Sequence, residues 1–103
     1  MSDKIIIKID PDLKELMPAY LQHMREYLVA LPLQLREENF DELWKIGHNI
    51  RGSGGGYGLD FLTALGERLE TAAKAREKPA IEAQITGIKD FLDHLVIEYA
   101  DPG

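Results

Sequence analysis

The chain has no cysteine in 103 residues, which excludes a disulfide framework, a thiolate nucleophile and a thiolate metal site. Positive charge is also in short supply: 12 lysines and arginines face 18 aspartates and glutamates, for a net charge of −6. That balance disfavours sequence-independent nucleic-acid binding, which needs basic side chains to displace counterions from phosphates, and it disfavours docking on an anionic membrane. No apolar run approaches the ~18–20 residues of a membrane-spanning helix. The opening Met1-Ser2-Asp3-Lys4 lacks the charged-then-apolar layout of a secretory signal. The expectation is a cytoplasmic protein with neither nucleic acid nor membrane as a partner. The three histidines are scattered with no ligand spacing, so no metal site is expected.

What is present is amphipathic helix. A chain of this length forms one domain, expected as an N-terminal extension over residues 1–10 and a helical bundle over 11–100. Ile5-Ile6-Ile7-Lys8-Ile9 reads as a short extended segment with no evident partner strand, expected to lie against the bundle. Asp10-Pro11 signals a helix start. Leu13, Met17, Leu21, Met24, Leu28, Leu31 and Leu35 then recur every three or four residues, with Pro18 and Pro32 expected to kink or split this first helix. Asn39 and Glu42 read as a capping box opening a second helix with Phe40, Leu43, Gly47 and Ile50 on its inner stripe.

A glycine-rich run, Gly52 to Gly58, is expected to end the second helix and reverse the chain, with Gly58 in the turn. A third helix carries Leu62, Leu65, Leu69, Ala72 and Ala73 and closes near Glu77-Lys78. A fourth opens at Pro79 and carries Ile81, Ile85, Ile88, Leu92, Leu95 and Tyr99, before Asp101-Pro102-Gly103. Short connections between four such helices imply an all-α, antiparallel up-down-up-down bundle, with a monomer the plainest state.

The stretch that carries chemistry is His48-Asn49-Ile50-Arg51-Gly52-Ser53-Gly54-Gly55-Gly56-Tyr57-Gly58. On a wheel of ~100° per residue, His48 falls roughly 120° from the centre of the inner stripe, so its imidazole reaches solvent. Trp44, Arg51, Gly52 and Gly55 lie on the same side. Each glycine in a helix costs ~1 kcal/mol against alanine, so several beside an exposed histidine imply a compensating use. Gly52 leaves room for another protein surface, and Arg51 can place a cation near an anion on the ring. Trp44 is equally read as bundle packing or as part of an exposed docking patch with Gly52 and Gly55.

The residues His48, Arg51, Gly52 and Gly58 follow the pattern His-x-x-Lys/Arg-Gly with a further glycine, and the chain here resembles the histidine-phosphotransfer domains of two-component phosphorelays. Arg51 stands where that family more often has lysine. The resemblance extends through Gly58-Leu59 and Leu65-Gly66-Glu67-Arg68-Leu69-Glu70-Thr71-Ala72, and covers about Leu13 to Leu95.

It implies that His48 accepts a phosphoryl group and exchanges it with an aspartate of a response-regulator receiver domain, or receives it from a histidine kinase. Arg51 would be the charge partner of the phosphoryl group. The receiver would supply the magnesium, so this chain needs no metal, nucleotide or other cofactor, and no kinase activity of its own. For Nε2 to attack, Nδ1 must carry the proton and be held by an acceptor. Counting along the helical hairpin brings Glu67 or Glu70 level with His48. In the chemotaxis-type domains this stretch resembles, a glutamate at the position of Glu70 plays that part, so Glu70 is favoured and Glu67 is second.

The plainer readings are that His48, Glu67 and Glu70 are ordinary surface residues, as His23 and His94 are expected to be. The alternative of a different class is a non-transferring bundle that binds a receiver or kinase as an interaction module. The glycine run follows a helix and lacks a Gly-Lys-Ser/Thr ending, so it is not a nucleotide P-loop.

Overall fold

A computed structural model describes residues 3–100; Met1, Ser2 and the closing Asp101-Pro102-Gly103 lie outside the described residues. The order is strand β1 (Ile5–Ile9), a 3-10 turn (Pro11–Leu13), helix α1 (Met17–Arg36), helix α2 (Phe40–Gly54), a second 3-10 turn (Gly55–Tyr57), helix α3 (Asp60–Lys74), helix α4 (Lys78–His94) and strand β2 (Leu95–Tyr99). The stripes read from the sequence face inward. Met17, Met24, Leu31 and Leu35 of α1 meet Leu43, Ile46 and Ile50 of α2, Leu62, Leu65 and Leu69 of α3, and Ile81, Ile88, Phe91 and Leu92 of α4 in one core.

Cross-helix partners fix the direction of each neighbour. Tyr20 meets Ser53, and Asn49 bonds Tyr27, so α1 and α2 run antiparallel. Gly54 abuts Thr63 while Gly47 abuts Glu70, which sets α2 against α3 in the same sense. Phe61 stacks on Phe91 and Gly87 faces Leu65 across α3 and α4. Two connections are built alike: Glu38 (φ 55°) and Arg76 (φ 58°) take the left-handed conformation just past α1 and α3. Each is followed by a long closing bond, Asn39 N–H to the Gln34 carbonyl and Glu77 N–H to the Ala72 carbonyl. Both lie at one end of the bundle, where Lys78 bonds Glu38 at 2.7 Å.

Several expectations from sequence need correction. The segment Ile5–Ile9 does have a partner: it pairs in parallel with β2, Ile5 opposite Leu95 through Ile9 opposite Tyr99. Leu95 and Tyr99 therefore belong to a strand and not to the fourth helix, which ends at His94. Leu95-Val96-Ile97-Glu98-Tyr99 is rich in branched and aromatic side chains, and once β1 offers an edge its pairing outweighs one more helical turn. Asn39 makes no side-chain cap, and Glu42 lies near Lys45 instead. The reason is local: the Asn39 N–H that a capping box would use is already bonded to Gln34. Asp10 does cap as expected, its carboxylate accepting from Asp12 N–H.

Pro18 sits in the first turn of α1 and separates the short Pro11–Leu13 piece from the long one, whereas Pro32 lies within a continuous α1. Leu31 and Leu35, both buried, hold the last turn in place on either side of it. The helix α2 runs on through Gly54, and the reversal falls at Gly58, whose φ of 76° suits glycine. The helix α3 stops at Lys74, short of Glu77.

Candidate functional site

The helices α2 and α3 approach most closely at two glycines. A Cβ on Gly66 would lie 2.5 Å from the Arg51 backbone nitrogen, and one on Gly47 would lie 2.8 Å from that of Glu70. Real Cβ atoms do not make such contacts, so only glycine at both positions allows this crossing. Its consequence is that residues flanking the crossing on the outer side, His48 and Arg51 on α2 and Glu70 on α3, are brought within reach of one another.

Glu70 Oε2 lies 3.1 Å from His48 Nδ1 and 3.5 Å from Arg51 Nε. A carboxylate only accepts, so Nδ1 carries the proton and donates it, and in the neutral ring this tautomer leaves the lone pair on Nε2. The Glu70 side chain is 16 % exposed and that of His48 is 48 % exposed, so the orienting group is shielded while the ring it orients is open. Arg51 remains 42 % exposed with its guanidinium beside the same carboxylate. Trp44, one turn before His48, lays its indole flat on the imidazole, with ring centroids 4.9 Å apart and planes 9° from parallel. One turn after His48, a Cβ on Gly52 would meet nothing within 4 Å.

The structure thus brings His48, Arg51, Glu70, Trp44 and Gly52 into one neighbourhood. Glu67 is not part of it: it lines a groove with Ala64, Thr71 and Ala80 on the α4 side of α3. Gly55 is exposed but lies beside the first turn of α3, near Thr63 and Asp60. His23 sits near Glu26 and edge-on to Tyr27, and His94 bonds the Asp90 carbonyl at the end of α4. Sequence reasoning missed two features, the role of Gly47 and Gly66 as the crossing point and the stacking of Trp44 on His48. The signal for the first was there, as two glycines inside helices with no turn to make.

In a comparison with known families, residues 15–97, well over half of the chain, match the Hpt domain model. The chain belongs to the Hpt domain family. Hpt domains perform histidine phosphotransfer in two-component phosphorelays and interact with receiver domains and kinases. Within this Hpt domain β1 lies ahead of the matched residues, whereas Leu95, Val96 and Ile97 of its partner β2 fall within them. No match to the chain is found among curated proteins or among solved structures. Among the described residues no group of three or more His, Asp or Glu side chains is placed to hold a metal ion, and no helix is long and apolar enough to cross a membrane.

Proposed function

We propose that His48 is the phosphoacceptor of this Hpt domain and that it exchanges the phosphoryl group with an aspartate of a receiver domain. The observation that carries the reading is the 3.1 Å contact between His48 Nδ1 and Glu70 Oε2, on a ring that stays open to solvent. In the forward step the Nε2 lone pair attacks phosphorus of an aspartyl phosphate, the N–P bond forms, and the P–O bond to the aspartate breaks. The carboxylate leaves with the electron pair. Nδ1 keeps its proton throughout, and the Glu70 carboxylate offsets the positive charge that develops on the ring. The guanidinium of Arg51 is near enough to swing toward the phosphoryl oxygens once they arrive. The open ground over Gly52 admits the receiver surface.

The test is incubation with an aspartyl-phosphorylated receiver or a cognate kinase, followed by detection of acid-labile, base-stable label. Label is expected on the unmodified protein and absent from His48→Gln. Label that persists in His48→Gln would sink the assignment. No label with any plausible donor would favour a bundle that binds a receiver or kinase without transfer.

A further inference from the structure

The two helix positions flanking His48 are opposites. At the position one turn earlier an indole covers a face of the imidazole, and at the position one turn later there is no side chain at all. Helix side chains lean toward the N-terminus, so His48 leans onto Trp44 and away from Gly52. The hydrogen bond to Glu70 ties one edge of the ring but leaves it free to rock about that bond. A parallel indole at 4.9 Å removes this second freedom. Trp44 is not there to fill the core, since it is 38 % exposed and the buried packing of α2 comes from Leu43, Ile46 and Ile50.

We propose that Trp44 is a positioning residue for phosphoryl transfer, holding the plane of the His48 imidazole so that Nε2 meets phosphorus in line. The proposal rests on His48 as the phosphoacceptor. As the Nε2–P bond forms and the bond from phosphorus to the leaving group breaks, the leaving group takes the electron pair and the ring becomes cationic. An indole face is a favourable neighbour for that cation. Trp44 so acts in the unimolecular part of the reaction, and not in docking a partner.

A small donor separates these roles. Phosphoramidate transfers its phosphoryl group to an imidazole nitrogen as its own P–N bond breaks and ammonia leaves, with no protein surface involved. Trp44→Ala is expected to slow labelling by phosphoramidate and transfer at saturating receiver alike, by about three- to tenfold. Its Kd for the receiver is expected to stay as it was. Trp44→Phe restores the rate to within about twofold, because a flat ring still stacks, and Trp44→Leu does not. A weakened Kd with an unchanged phosphoramidate rate would overturn the proposal in favour of docking, and a leucine as good as phenylalanine would reduce it to packing.

Should the alanine variant fail to fold, the unmodified protein provides the second measurement. Trp44 is the one tryptophan in the chain, so its emission is expected to change as phosphoramidate labels His48. Constant emission through complete labelling would overturn the proposal. Label retained in His48→Gln would show instead that the phosphoacceptor assignment has failed.

Discussion

A single carboxylate oxygen, Glu70 Oε2, serves both His48 Nδ1 at 3.1 Å and Arg51 Nε at 3.5 Å. The hydrogen-bonded imidazole and the ion-paired guanidinium are one turn apart on α2, and the carboxylate comes from the next helix of the hairpin. Removing the acceptor frees both the tautomer and the orientation of the ring. Glu70→Ala is therefore expected to slow transfer by roughly ten- to a hundredfold, as loss of a group that orients a functional histidine does elsewhere. Glu70→Gln keeps an oxygen that accepts from Nδ1 and loses only the charge, so its rate should fall between. Single-turnover transfer from a phosphorylated receiver, with thermal melting alongside, checks this. Equal rates for the alanine variant and the unmodified protein would remove Glu70 from the mechanism.

Gly66 and Gly52 should respond in opposite ways to the same substitution. At Gly66 a new Cβ meets three backbone atoms of α2, two of Arg51 and one of Gly47, at 2.5–3.0 Å, with nothing flexible to move aside. Gly66→Ala is expected to destabilise the fold by about 1–3 kcal/mol and to part Glu70 from His48. At Gly52 nothing lies within 4 Å, and alanine is the better helix former. Gly52→Ala should stabilise α2 by up to ~1 kcal/mol while weakening the receiver's approach. Urea unfolding measures the first pair of effects and receiver binding the second. A Gly52→Ala protein both more stable and equally well bound would mean that the gap is not used for docking.

The helical stripes were legible because each spans several turns, long enough for a period near 3.6 residues to declare itself in Met17 to Leu35 or Leu62 to Ala73. The candidate site was legible along α2 as a neighbourhood, where spacing alone relates His48 to Arg51 and Gly52. Its second half depends on the register of a hairpin, which the sequence narrows to Glu67 or Glu70. The resemblance favours Glu70, and the crossing at Gly47 and Gly66, a tertiary contact, is what sets its carboxylate against His48. The segment Leu95–Tyr99 was misread for a physical reason. Five residues fit a helical and an extended pattern equally well, and the deciding partner, Ile5–Ile9, lies at the other end of the sequence.

That strand pair should matter to stability. Ile9 is 1 % exposed and joins the main core, its Cδ1 lying where a Cβ on Gly58 would come within 3.1 Å. Ile9→Ala is expected to cost about 2–4 kcal/mol, the usual loss for emptying a buried isoleucine. Ile6, on the opposite face of β1, is 56 % exposed, and Ile6→Thr should stay within about 0.5 kcal/mol. Chemical denaturation of the two variants compares them directly. Matching losses would show that β1 does not pack as a strand with one face inward.

Tyr20 is expected to make the stability of the bundle fall at alkaline pH. Its ring stacks on Tyr57 with centroids 4.0 Å apart, and its hydroxyl meets Ser53 Oγ at 3.1 Å. Burial raises its pKa above the ordinary 10.0, partly opposed by the Ser53 hydrogen bond and reinforced by neighbouring Tyr57 and Tyr27. The folded state thus holds the phenol proton more tightly than the unfolded chain does. The stabilisation this provides is fully present below the ordinary value and is lost as pH rises through it toward the folded value. Tyr20→Phe keeps the stacked ring and removes the titrating group. It should cost about 0.5–1.5 kcal/mol at neutral pH through the lost hydrogen bond. From about pH 8 to about pH 11 its stability should then fall less steeply than that of the unmodified protein. Melting temperatures across that range, read with tyrosinate absorbance, test the sign, and parallel declines in the two proteins would assign the alkaline loss to other groups.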